Sequence, residues 1–371
     1  MLYYKNRKQL RSNARIHMQD TYMVPDMPAK EYHAGPEASA GFLKKMLQTP
    51  LHAKHSRDNP TDPSPIMRFG SAWHSAFFEP AKFAAEYATG HDAHPATARA
   101  KLLDTILAGN PLEWLGTVTP VPDDISLKTK EGKALAADIE AQGRVAIAQS
   151  EFDWIATWVP RLHGRTVISQ EWADRIAAMN ASAHAHPITK ILMAPEHGGL
   201  AEPSIFDIDP ATCIRVRIRP DYLIPPCARF PNGLVLDGKA TGDASPGGFG
   251  RTAWNLAYYL QAALYTRVVQ RLFKTPERPP FVWLAIEADA PHAAAYYRAS
   301  TAQTDPDTGL LIPGLIEYGD REVDRLLLLY AECERTGQWP GYHTTIESLT
   351  PPAWARKAMN DNDEIESISY A

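Results

Sequence analysis

The sequence is short of cysteine, of long apolar runs and of surplus positive charge, and each shortage excludes something. Its 371 residues include three cysteines, Cys213, Cys227 and Cys333, odd in number and without CxxC spacing. That argues against a disulfide framework or a zinc ribbon, and for a reducing, cytoplasmic setting. No stretch approaches the roughly 20 apolar residues of a membrane span, so no membrane partner is expected. The basic opening MLYYKNRKQLRSNAR has no apolar segment behind it, which speaks against a secretory signal. With a net charge of −5, the chain cannot hold nucleic acid by bulk charge, so any DNA contact needs a local basic patch or a metal. The phosphate-binding patterns GxxxxGKS/T and GxGxxG are absent, as are a GxSxG elbow and an HExxH pair.

What is present is an ordinary globular balance, 44% hydrophobic and 22% charged. Residues 1–30 read as a polar extension, 31–356 as a single domain and 357–371 as a tail. Within the domain, 31–198 reads as helical and 199–340 as an α/β core. A helix is predicted from near Ser39 to Pro50, and two more are predicted on either side of Pro80. Residues 127–160 are expected to be mainly helical, with Ile147, Trp154, Ile155 and Trp158 as apolar surface. A further helix is expected over 168–194. From residue 200, LAEPSIFDID, CIRVRIRPDYLI and GLVLDGKAT read as three successive strands. SPGGFG reads as a flexible loop before a helix over 252–273. PFVWLAIEAD and HAAAYYRAS are two further strands, and DREVDRLLLLYAECERTG a closing helix.

Chemistry concentrates at the strand ends, where Glu202, Asp221 and Asp237 stand. Two carboxylates from neighbouring strands can hold a hard divalent cation such as Mg²⁺. Lys239, two residues beyond Asp237, shares its face, because strand side chains alternate. Its ammonium can orient a water or steady charge on a phosphate; the competing reading is a surface ion pair of little energetic weight. Trp254, Tyr258, Gln261 and Tyr265, spaced 4, 3 and 4 apart, form one helical stripe, which either packs in the core or lines a polar cleft. His74 lies on an apolar helical face, as a core histidine or as a metal ligand. Arg215, Arg217 and Arg219 share one strand face, and with Arg251 they offer either a phosphate-binding patch or ordinary salt bridges.

RPD, LDGK and YYLQAALY, in that order, resemble the PD-(D/E)XK nuclease superfamily, in the branch with a Q-x-x-x-Y helix. More narrowly, the chain resembles the RecE-like (exodeoxyribonuclease VIII) nucleases of phages and prophages. YHAGPEASAGFLKKMLQTP, RFGSAWHSAFFEP, AEPSIFDIDPATCIRVRIRPDYLI, PFVWLAIEAD and GQWPGYHTTIESLTPPAWA extend the resemblance over residues 32–356. It implies a restriction-endonuclease-like core, a mixed central β-sheet flanked by helices, with N-terminal helical additions. It implies Asp221 and Asp237 as metal-binding carboxylates, with the Gly238 carbonyl, His74 and Glu202 completing or supporting the metal site. Lys239 would position the nucleophilic water, and Gln261 and Tyr265 would contact the scissile region; Tyr258 and the arginines would touch DNA. The implied activity is Mg²⁺- or Mn²⁺-dependent hydrolysis of linear double-stranded DNA, 5′ to 3′, leaving 3′ overhangs for recombination by a single-strand annealing protein. A ring-shaped homotrimer or homotetramer in a bacterial or phage-infected cytoplasm would fit.

Two features depart from the resemblance. Gly238 stands where relatives often carry an apolar residue, and PPCARFPNG is a long connection between the acidic strands. Two alternatives keep the same fold. One is a structure-specific or single-strand endonuclease with the same site, and the other is a DNA-binding module without catalysis.

Overall fold

The computed structural model describes residues 21–89, 116–153, 156, 165–342 and 344–352. Strand β1 (Tyr22–Val24) is followed by helices α1 (Ala29–His33), α2 (Ala40–Met46), α3 (Pro50–Asp58), α4 (Pro65–Phe78) and α5 (Pro80–Glu86). Their starts are written in the sequence. The hydroxyls of Ser39, Thr49 and Ser64 accept from the backbone N–H three residues on, and Pro50, Pro65 and Pro80 occupy the first helical position. Two short parallel pairs follow: β2 (Tyr87–Thr89) with β5 (Thr166–Ile168), and β3 (Val118–Val121) with β4 (Val145–Ala148). Between β3 and β4 runs α6 (Lys130–Ala141), and after β5 come α7 (Gln170–Ala185) and α8 (Pro187–Leu192). The helix expected over 127–160 therefore ends early. Gly143 turns the chain at φ +74°, and Ile147 is buried in a strand. Trp154, Ile155, Trp158 and the tail 357–371 lie outside the described residues.

The three expected strands after residue 200 are five, shared between two sheets. Pro203 divides the first into β6 (Leu200–Ala201) and β7 (Ser204–Ile208), and Pro220 divides the second into β8 (Arg215–Ile218) and β9 (Tyr222–Ile224). A proline lacks the ladder N–H, so each break lets the chain change sheets. β7 and β8 join β1 in a three-stranded sheet, so residues 21–30 belong to the fold and not to a loose extension. β6 and β9 join β10 (Leu234–Thr241), β11 (Phe281–Glu287) and β12 (Ala294–Arg298) in a five-stranded sheet of order β12-β11-β10-β9-β6. Only β10 and β11 are parallel there, so the sheet is mixed, as expected.

SPGGFG is not a loop. Ser245 caps and Pro246 opens helix α9 (Pro246–Asn255), which a left-handed Ala257 (φ +50°) separates from α10 (Tyr258–Phe273). The expected 252–273 helix is thus two, and Trp254 stands apart from the Tyr258–Gln261–Tyr265 stripe. The long closing helix is α11 (Leu315–Thr336).

The sheet is covered on both faces. Val235, Phe281, Trp283 and Ala285 pack with α2, α10 and α11, whereas Leu234, Leu236, Leu284 and Ile286 pack with α4 and α7. Alternation along β10 puts Asp237 and Lys239 on the first face and Gly238 on the second. There Trp73 of α4, fully buried, lies against the bare backbone of Gly238. A Cβ at that position would stand 2.8 and 2.9 Å from two Trp73 ring carbons and 3.1 Å from Phe78. Glycine therefore lets the helix approach the strand. Gly238→Ala should cost about 1–3 kcal/mol by overpacking. In denaturant melts the double variant Gly238→Ala/Trp73→Phe should recover part of this loss; strictly additive costs would contradict the contact.

Candidate active site

β9 ends where β10 continues, and a side chain takes over the vacated ladder position. Leu236 still pairs with Tyr222, but the next inward-facing group, the Gly238 N–H, donates to Asp221 Oδ2 at 2.7 Å. Asp221 is thereby brought beside Asp237. Asp237 is fully buried; its Oδ1 accepts from Gln261 Nε2 at 2.5 Å, and its Oδ2 is ion-paired with the Lys239 ammonium. Helix α4, seated on Gly238, delivers His74 with Nδ1 at 3.4 Å from Asp221 Oδ2. A cleft of about 700 Å³ opens here, lined by His74, Asp221, Tyr265, Arg219, Glu202 and the first turn of α2, among others.

The electrostatics are those of a crowded acid pair. Burial and then the charge of Asp237 raise the Asp221 carboxyl well above its ordinary value. Burial and the nearby Lys239 push His74 down to about 4, so its imidazole is neutral near pH 7. For Lys239, burial works downward, but Asp237 and Asp221 outweigh it and raise the ammonium's pKa. Lys239 is therefore a permanent cation, suited to orienting a water or a phosphate oxygen and unsuited to removing a proton. Burial raises Tyr265 well above the phenol range, and it is bonded to the backbone of Arg219 at the cleft wall.

Among the described residues, no three His, Cys, Asp or Glu side chains converge as a metal cage. The donors do fit a hard dication held by two carboxylates and water, the usual arrangement for Mg²⁺. The observation that carries the fit is the pair itself: two carboxylates from adjacent strands, held side by side by the Gly238 N–H on Asp221 and the Gln261 amide on Asp237. Asp221 and Asp237 would hold such an ion; the Gly238 carbonyl, on the same edge of β10 as its N–H, and His74 stand next to them. Glu202 is not turned to this pair. Its carboxylate lies 3.2 Å from Arg219 and 3.6 Å from Lys82, at a left-handed backbone position (φ +43°).

Gln261 and Tyr258 are also placed differently from the expectation. Gln261 clamps Asp237 and does not reach into the cleft. The ring of Tyr258 carries two ammonium groups, with Lys239 Nζ at 5.1 Å and Lys44 Nζ at 4.7 Å from its centroid. Lys44, a half-buried residue of α2, is a member of the site that no motif marked. Burial and then Lys239 push it down to about 8, while Asp237 pulls it back. Its folded value lies below the ordinary 10.5, so its positive charge burdens the fold below about pH 8, and that burden lifts as pH rises toward 10.5.

The arginine face divides. Arg217 is buried, donates to the carbonyls of Gly35 (2.6 Å) and His33 (3.1 Å), and stacks on Tyr32. Arg219 donates to the carbonyls of Glu202 (3.1 Å) and Met27 (3.0 Å) while bordering the cleft. Both tie the N-terminal segment to the sheet, which removes Arg217 from any DNA surface. Arg215 and Arg251 are exposed. Arg217→Gln should cost about 2–4 kcal/mol in denaturant melts, because two carbonyls lose a charged donor. Arg251→Gln should stay within about 0.5 kcal/mol of wild type; equal effects of the two would contradict the division.

No protein-family model matches the chain, and no curated protein sequence is similar to it. Among solved structures it is similar to one described as a putative exonuclease from Eubacterium rectale. The two are 12% identical, the match covers 88% of this chain and 96% of that one, and the TM-score is 0.44.

Proposed function

We propose that this chain is a divalent-cation-dependent nuclease that hydrolyses phosphodiester bonds at the ends of linear double-stranded DNA. The observation that carries the reading is the Asp221–Asp237 pair, with Asp221 held by the Gly238 N–H at the cleft and the buried Asp237 paired with Lys239. A bound Mg²⁺ or Mn²⁺ would supply an acidified water and charge neutralisation at the phosphate. The chain's own residues have separate tasks. Asp221 and Asp237 hold the cation, and Gln261 fixes the Asp237 carboxylate in one orientation. Lys239, kept protonated by both acids, donates to the attacking water or to a phosphate oxygen. His74, neutral, orients Asp221 and stays uncharged beside the incoming cation. Glu202 supports the site indirectly, by holding Arg219 and Lys82 at the cleft wall.

The ordered sequence blocks that resemble RecE-like nucleases support the finer reading: 5′ to 3′ digestion, 3′ overhangs, a strand-annealing partner and a ring-shaped oligomer. A ring would keep the enzyme on DNA despite a net charge of −5. No helix among the described residues is long and apolar enough to cross a membrane.

The test uses end-labelled linear duplex and covalently closed circular duplex, with Mg²⁺ or with EDTA. Mg²⁺-dependent loss of linear DNA alone is expected. Asp237→Ala and Lys239→Ala should each lower the rate by about 10²–10³-fold or more. Cleavage of the closed circle would replace the exonuclease by an endonuclease with the same site. Wild-type rates in both variants would refute the site.

A further inference from the structure

Lys44 is a cation without an acid of its own. Among the described residues no carboxylate lies within ion-pair distance of it, whereas most cations around it are matched: Lys82 by Glu79 and Glu202, Arg219 by Glu202, Lys239 by Asp237. Its recorded contact is the face of Tyr258, which it shares with Lys239. A cation held near a like charge and partly stripped of water is a costly arrangement, because burial and Lys239 both act against its charge. Its direction is fixed by the helix. Lys44 lies one turn beyond Ala40 and Gly41, which line the cleft, so it shares their side of α2. The missing counter-charge is therefore on the cleft side.

We propose that Lys44 is a phosphate-binding residue of this site: together with Lys239, whose ammonium also lies over Tyr258, it donates to non-bridging oxygens of the DNA backbone at the phosphodiester that is attacked. This inference rests on the nuclease reading above and adds a contact to it. The two lysines divide the work by position. Lys239 is ion-paired with Asp237 and would be released if a cation occupied that carboxylate, whereas Lys44 has no ion pair among the described residues. The electron-rich face of Tyr258 attracts both ammonium groups and partly stands in for a counter-charge.

The experiment uses the full chain as wild type, Lys44→Met and Lys44→Arg. A fluorescein-labelled 20-base-pair linear duplex is titrated in EDTA over a series of NaCl concentrations, and thermal melts are recorded at pH 7. Lys44→Met should bind about tenfold more weakly and lower the slope of log affinity against log salt by about 1. It should melt at or above wild type, since it removes an unmatched charge, and Lys44→Arg should restore the salt slope. Equal affinity and slope for Lys44→Met and wild type, whether strong or undetectable, overturns the assignment. So does a lower melting temperature in Lys44→Met, which would make the lysine structural. Failures of the two readings separate. A wild type that binds with the expected slopes and releases no product in Mg²⁺ loses the nuclease reading and keeps Lys44. Asp237→Ala inactivity with Lys44→Met unchanged in binding and rate does the reverse.

Discussion

The site depends on one contact, the indole of Trp73 against the bare backbone of Gly238. Because no Cβ stands between them, helix α4 settles onto the middle of β10. That position carries His74, the next residue, to the rim of the cleft beside Asp221. On the opposite side of the strand, Asp237 and Lys239 face α10 and are fixed by Gln261 and Tyr258. A single glycine thus lets two helices, from opposite faces of one sheet, bring chemistry to the same strand edge. The Gly238 N–H finishes the arrangement by holding Asp221 where β9 gives out.

Charge in this region is arranged in shells. The acid pair and its lysine form the buried centre. Around them, Arg217 and Arg219 spend their donors on backbone carbonyls of the N-terminal segment, with Tyr32 between them and the core. Arg219 borders the cleft, and both arginines stabilise the fold, since unpaired buried carbonyls are expensive.

Much of the centre was legible in the sequence. Strict alternation in LDGK is enough to place Asp237 and Lys239 on one face, and the order of acids predicted Asp221 as the partner. The α/β layer after a helical N-terminal part followed from the pattern of elements, and the mixed sheet flanked by helices from the family resemblance. Legibility stopped where three-dimensional neighbours decide. Gly238 looked like a weakness in the strand, and only Trp73, 165 positions earlier by number, explains it. Alternation alone runs RIRPDY as one strand, whereas Pro220, which cannot donate to the ladder, breaks it into two. SPGGFG carried a Ser-Pro helix start that its glycines disguised. The Arg215–Arg217–Arg219 face was correct as a pattern, but alternation cannot tell a DNA surface from an inner wall. Lys44 had no signal at all, because its role comes from a helix packing beside a ring far along the chain.

The central claim is that Asp221 and Asp237 form a divalent-cation site at the edge of β10. The most direct measurement is anomalous diffraction from crystals soaked in Mn²⁺. The account predicts a peak between the two carboxylates, close to the Gly238 carbonyl, with the Lys239 ammonium displaced from Asp237; the peak should be absent in Asp237→Asn. A Mn²⁺ bound elsewhere, or an Asp237 that keeps its pairing with Lys239 at saturating Mn²⁺, would contradict it.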